Sequence, residues 1–206
     1  MIKKDAKTVI LNAAEVLFLK YGFRRVTVDE ICRNANVSRK TFYVYFTNKE
    51  ALIIQLLDTI IGTLTREFIE VMNSNASFAD KMIGLMEMKL ALGKQMSMDF
   101  FADLFNASSN EVALYYRKRV DENIALARTL FIQAQEKGEI RSELDIDFIM
   151  TMLNNQTDLC GKPEFRSRFK DSESMMKQMS ELFLFGIVGN KETNGVKKRK
   201  VKIIHN

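Results

Sequence analysis

A chain of 206 residues with 31 Lys and Arg, 26 Asp and Glu and a single His carries a formal charge of +5 and can fill one large domain or two small ones. Hydrophobic residues at 47% exclude disorder throughout, and one Pro with nine Gly leaves too few turn formers for an all-β fold. No apolar run approaches the roughly 20 residues of a membrane span, and the polar start MIKKDAK lacks a signal peptide's apolar core. Cys32 and Cys160 form neither a disulfide framework nor a ligand cluster. The expectation is an all-α cytoplasmic protein with no membrane association, no metal and no cofactor.

The charge is unevenly placed. Residues 1–50 hold ten Lys and Arg against five acids, residues 51–190 hold fifteen against twenty, and residues 191–206 hold six against one. A basic head on an acidic body suggests that the head meets a polyanion and the body does not.

In chain order, Val9, Ile10, Ala13, Ala14, Leu17 and Phe18 recur at helical spacing between Ala6 and Lys20, and Gly22 follows as a stop. Thr27 and Glu30 form a capping-box pattern for a helix of about eight residues that buries Val28, Ile31 and Cys32. Asn34-Ala35-Asn36 breaks that helix, since Asn tolerates the left-handed conformation of a tight turn. Ser38 caps a third helix running to about Tyr45, and Asn48 opens a long fourth one with an apolar stripe from Leu52 to Leu64. Further helical segments are predicted near 77–94, 97–106, 108–137, 145–161 and 172–189, about nine helices in all, with Pro163 in a junction. From Gly189 the periodicity fades into a basic tail with Lys197-Lys198-Arg199-Lys200.

Two short helices joined by a tight turn inside a basic segment describe a helix-turn-helix, whose second helix enters the DNA major groove with its N-terminal side chains toward base edges. Ser38, Arg39, Lys40 and Thr41 supply short donors and cations at that end, Phe42 and Phe46 face back into the head, and Tyr43 points away from them.

The stretch from Tyr21-Gly22-Phe23 through Thr27-Val28-Asp29-Glu30-Ile31-Cys32 and Ala35-Asn36-Val37-Ser38-Arg39-Lys40-Thr41-Phe42-Tyr43-Val44-Tyr45-Phe46-Thr47-Asn48-Lys49-Glu50-Ala51-Leu52 resembles the DNA-binding domain of TetR-type (TetR/AcrR) transcriptional regulators. The likeness covers roughly residues 5–55 without insertion; Cys32, Asn36 and Lys40 depart from the usual Ala, Gly, and Gly or Pro. It implies that Thr27 touches phosphate, that Ser38, Arg39, Lys40, Thr41, Val44 and Tyr45 lie where relatives read bases or backbone, and that Tyr43 and Lys49 lie where relatives clamp phosphates. Val44 offers only methyl contact, suited to thymine.

By the same resemblance, residues 1–50 form a three-helix DNA-binding domain, residues 51–190 a helical effector-binding and dimerisation bundle, and residues 191–206 a flexible basic tail. The body carries eleven of the twelve Met. Met86, Leu90, Phe100, Phe101, Phe105, Tyr115, Tyr116 and Phe131 are candidate lining for an apolar or aromatic small-molecule effector, although such residues at helical spacing also suit an ordinary core. Phe148, Met152, Met176, Met179, Phe183 and Gly186, on the last two long helices, are candidates for a homodimer interface.

Catalysis is not expected. The one His, His205, lies in the tail, and no glycine-rich phosphate loop or dinucleotide fingerprint occurs. The expected function is a dimeric repressor on double-stranded DNA, released from a palindromic operator by a small molecule. The alternatives are a ligand-independent or activating regulator and a helical protein-interaction module without sequence-specific DNA binding.

Overall fold

The computed structural model describes residues 5–105 and 111–187, with side chains to residue 183. Among them are ten helices and no strand, so the chain is all-α. They are α1 (Ala6–Tyr21), α2 (Val28–Ala35), α3 (Arg39–Tyr45), α4 (Lys49–Asn73), α5 (Phe78–Gln95), α6 (Met98–Phe105), α7 (Glu111–Glu136), α8 (Ile146–Cys160), α9 (Pro163–Arg166) and α10 (Ser172–Ile187). None of the described helices is long and apolar enough to cross a membrane.

The extra helix is α9, in what the sequence suggested was a plain junction. Pro163 stands in its first turn, where a missing N–H costs nothing, and Arg166 buries its guanidinium while donating to the Cys160 carbonyl at 2.7 Å. Elsewhere the ends follow local chemistry. Ser77 and Asp145 cap α5 and α8 by accepting from the N–H groups of Asp80 and Phe148. Asp147, two residues after the Asp145 cap, pairs with Arg128 at 2.6 Å, so both carboxylates have structural partners. The basic tail, 191–206, lies outside the described residues.

Two hydrophobic clusters hold the molecule. The first joins Ile10, Phe18, Ile31, Phe42 and Phe46 of the head to Leu52, Ile53, Leu56 and Leu57 of α4, and continues through Phe100, Phe101 and Leu104 of α6 to Val112, Cys160 and Met175. The second, farther along α4, collects Met72, Phe78, Met82, Leu130, Phe131, Ile146 and Ile149. The start of α4 therefore completes the core of the head, so a division at residue 50 cuts through a packed helix. Helix α5 packs most closely on α10: Gly93 leaves room for Met176, and the Ser172 hydroxyl donates to the carbonyls of Gly93 and Met96.

Candidate DNA-binding face and its link to the body

Helix α2 begins with the full capping box. Glu30 N–H donates to Thr27 Oγ1 at 3.2 Å, and Thr27 N–H donates to the Glu30 carboxylate at 2.8 Å, which holds that carboxyl below its usual range. The helix ends at Asn36, the one non-glycine residue with positive φ (φ 52, ψ 47) among those described. Asparagine there does what the family's usual glycine does. Two residues later Ser38 caps α3, accepting from the Thr41 N–H at 3.0 Å, and its hydroxyl also pairs with that of Thr41 at 2.8 Å.

Phe42 is fully buried and Phe46 nearly so, their rings 5.6 Å apart, which docks α3 against α1 and α2. The opposite side of α3 is open. Val44 is 70% exposed, Tyr43 and Lys40 are exposed, and Tyr43 rests its ring edge-on against Phe42. Arg39 pairs with Asp29 of α2 at 3.3 Å, and the Tyr43 hydroxyl and Asp29 raise its pKa. Thr27 is also exposed. Lys40, Tyr43 and Val44 thus share an open face, with Arg39 and Thr41 at its leading end.

Two predicted contact residues are turned elsewhere. The Tyr45 hydroxyl donates to Asp5 at 3.4 Å, toward the start of α1. The Lys49 ammonium donates to three main-chain carbonyls, Phe23 at 3.0 Å, Arg24 at 3.3 Å and Val26 at 3.0 Å. An ammonium has three N–H bonds, so all are engaged in tying the α1–α2 turn to α4 and none is left for phosphate. Lys49→Met is therefore expected to lower the thermal midpoint of the free protein by several degrees. Calorimetric unfolding checks this; an unchanged midpoint with a salt slope of DNA binding reduced by about one unit would restore the phosphate role.

Helix α6 connects the head to the body. Asp103 Oδ2 accepts the Arg24 N–H at 2.8 Å, and the Ser97 N–H donates to the Leu19 carbonyl at 2.8 Å. Burial raises the Asp103 carboxyl pKa, partly offset by the bond from Arg24. Gly22, at φ +74, lies directly under Asp103 and Asp99. Sequence reasoning missed Asp103, because an acid in an apolar hexad reads as solvent-facing.

The candidate pocket residues do not converge. Phe100, Phe101 and Phe131 are buried core: Phe100 meets Phe23 edge-on at 5.9 Å and Phe131 meets Phe78 at 5.7 Å. Tyr115 donates to Asp58 at 2.6 Å, and burial together with that carboxylate pushes its pKa up to about 12. Met86 and Leu90 are half-buried on α5. Phe105 and Tyr116 do line a cavity of about 230 Å³, with Leu104, Val120 and Thr157. Among the described residues, buried Asn154 Oδ1 and Arg119 Nε have no hydrogen-bond partner.

The interface candidates divide as well. Phe148 is 61% and Met152 44% exposed, one turn apart on α8. Met176 and Met179 instead face inward, Met176 against Gly93 and Met179 with its sulfur 3.6 Å from Cys160 Sγ, while Phe183 packs on the second cluster. Among the described side chains of α10, the exposed large apolar one is Leu182, 74% exposed. Gly186 falls in the last turns of α10, past the described side chains.

Two short helices meeting at a left-handed Asn36, with an aromatic stripe buried and a polar, basic face outward, define a helix-turn-helix DNA-binding protein. Residues 10–56 match the model of the bacterial regulatory proteins of the tetR family. The uncharacterised HTH-type transcriptional regulator YdeS of Bacillus subtilis is 31% identical over 147 residues, 70% of this chain and 72% of that protein. YhgD of the same organism, another uncharacterised HTH-type regulator, is 32% identical over 74 residues, only 36% of this chain and 39% of its own length. The solved fatty acid degradation regulator FadR of Bacillus halodurans has the same fold, with a TM-score of 0.68 at 23% identity over 91% of this chain and 98% of its own. The chain belongs to the TetR family and is a DNA-binding transcriptional regulator, not an enzyme.

Proposed function

We propose that the protein is a homodimeric repressor that holds a palindromic operator through α3 and releases it when a small molecule enters the body. The observation that carries this reading is the open face of α3, where Lys40, Tyr43 and Val44 stand clear of a buried Phe42–Phe46 stripe. On that face Lys40 and Val44 contact bases, while Tyr43, Thr27 and the capped end with Ser38, Arg39 and Thr41 meet backbone. Residues 1 to about 56 act as the reading head and the remaining helices as the effector and dimer domain.

Release follows from the α6 link. An effector that favours a shifted α6 draws the α1–α2 turn with it through Asp103 and Ser97, which changes the spacing of the two α3 helices of the dimer. That spacing must match successive major grooves, about 34 Å apart. Exposed Phe148, Met152 and Leu182 supply the apolar patch for the two-fold interface.

Binding of labelled duplexes across a salt series tests the regulator reading: preference for one sequence over bulk DNA should persist at moderate salt, and its absence would remove the operator. Lys40→Gly is expected to change the preferred bases more than the overall affinity; a uniform loss across sequences would assign Lys40 to phosphate.

A further inference from the structure

The head has a groove beside α3 that the reading helix does not use. It measures about 480 Å³ and runs between the second half of α1 and α2. Leu17, Tyr21 and Val26 form its floor, and exposed Arg25, Arg33 and Asn34 stand along its rim. The one acid among its lining residues, Glu30, has its carboxylate on the N–H and the hydroxyl of Thr27, each at 2.8 Å. Lys20 adds a third cation: its ammonium lies 4.9 Å from the centre of the Tyr21 ring, and the Arg25 guanidinium 5.2 Å from it. The ring orients both cations without cancelling their charge.

Other cations of the head already have partners. Arg24 is held by Asp103, Arg39 by Asp29 and Lys49 by main-chain carbonyls. Among the described residues Lys20, Arg25 and Arg33 make no ion pair. Arg25 is also presented on a fixed backbone, because Lys49 takes the carbonyls on either side of it, those of Arg24 and Val26, and Asp103 takes the Arg24 N–H.

Two neighbours indicate what lies opposite. Thr27, which meets backbone in the proposed complex, is joined to the groove through Glu30. Asp29, one turn before Arg33 on α2, pairs with Arg39 at the leading end of α3 at 3.3 Å. The α2 rim of the groove therefore borders the reading face. In a helix-turn-helix the helix before the reading helix crosses the sugar–phosphate backbone, and here that helix is α2. Guanidinium forks match phosphate oxygens in shape as well as charge.

We propose that the α1–α2 groove is a second DNA contact, in which Arg25 and Arg33, with Lys20 beside Arg25 on the Tyr21 ring, hold phosphates of the strand flanking the base pairs that α3 reads. This rests on the reading of the head as a DNA-binding domain and extends its footprint beyond α3. The contact adds affinity without sequence preference, and it supplies phosphate binding that the fully engaged Lys49 does not.

The test follows the full chain binding labelled random-sequence duplexes across a salt series. Arg25→Gln with Arg33→Gln should flatten the log–log salt slope by about two units per bound protomer and weaken binding near 0.1 M salt on the order of 10- to 100-fold. Arg25→Lys with Arg33→Lys should keep most of the slope. Lys118→Gln with Lys137→Gln, which removes two exposed cations from the body, should leave it unchanged. Both arginines are exposed, so the glutamine pair should unfold at the wild-type midpoint, and it should select the same inverted repeat from random DNA. A glutamine pair with the wild-type slope, or a loss equalled by the body control, would overturn the proposal and leave the regulator reading standing. Poly-L-glutamate that binds the wild type but not the glutamine pair, with duplex binding equal in both, would give the groove to an acidic protein segment instead. Failure of the wild type to bind any duplex would remove the regulator reading, and this proposal with it.

Discussion

Gly22→Ala is expected to destabilise the protein by about 2–4 kcal/mol, roughly 5–15 °C in unfolding midpoint for a chain of this size. Two causes add. Gly22 ends α1 at φ 74 and ψ 159, a conformation that residues with a Cβ almost never adopt. A Cβ there would lie 2.5 Å from Asp103 Oδ2 and 3.2 Å from the backbone of Asp99. The carboxylate cannot simply swing away, because it accepts the Arg24 N–H and is largely buried. The same contact makes the change functional, since pushing α6 off the turn breaks the connection between body and head. Calorimetry measures the first effect and effector-dependent DNA release the second. An unchanged midpoint would show that α6 does not press on Gly22.

If the proposed homodimer forms through α8, Phe148→Glu is expected to convert it to a monomer and to weaken operator binding on the order of 100-fold or more, because two tethered half-site contacts become one. Phe148 is mostly exposed and belongs to neither hydrophobic cluster, so the fold should survive with little change in midpoint. A carboxylate placed on the two-fold meets its own copy or an apolar face, and both are unfavourable. Analytical ultracentrifugation separates the outcomes. A variant that remains dimeric at micromolar concentration would move the interface away from α8.

Much of the head was legible because its signals are local. Thr27 and Glu30 form the capping box that their spacing announces, Asn36 takes the left-handed turn, and Phe42 and Phe46 are buried at a four-residue interval. Each depends on residues within one or two turns. The residues whose surroundings their spacing did not announce share the opposite property. Lys49 reads as a free cation until the carbonyls of Phe23, Arg24 and Val26 are brought to it from 23 to 26 residues away. Helical periodicity places Met176 and Met179 on a face, but only the approach of α5 at Gly93 and of Cys160 decides that this face is inside and that Leu182 is out. Phe100 and Phe131 are buried for the same reason: apolar spacing marks burial without saying whether a cavity is next to it. Asp103, central to the proposed response, is an acid in a largely apolar stretch, and composition assigns such a residue to solvent.

The central claim is that the open face of α3 reads a two-fold operator. Selection of bound duplexes from a random pool by the full-length protein tests it most directly. The account predicts enrichment of one inverted repeat whose half-sites lie about 34–36 Å apart, or a multiple of that, bound on the order of 1,000-fold more tightly than scrambled duplex at moderate salt. A pool that yields no inverted repeat, or one bound no more than about tenfold better than scrambled DNA, would contradict it.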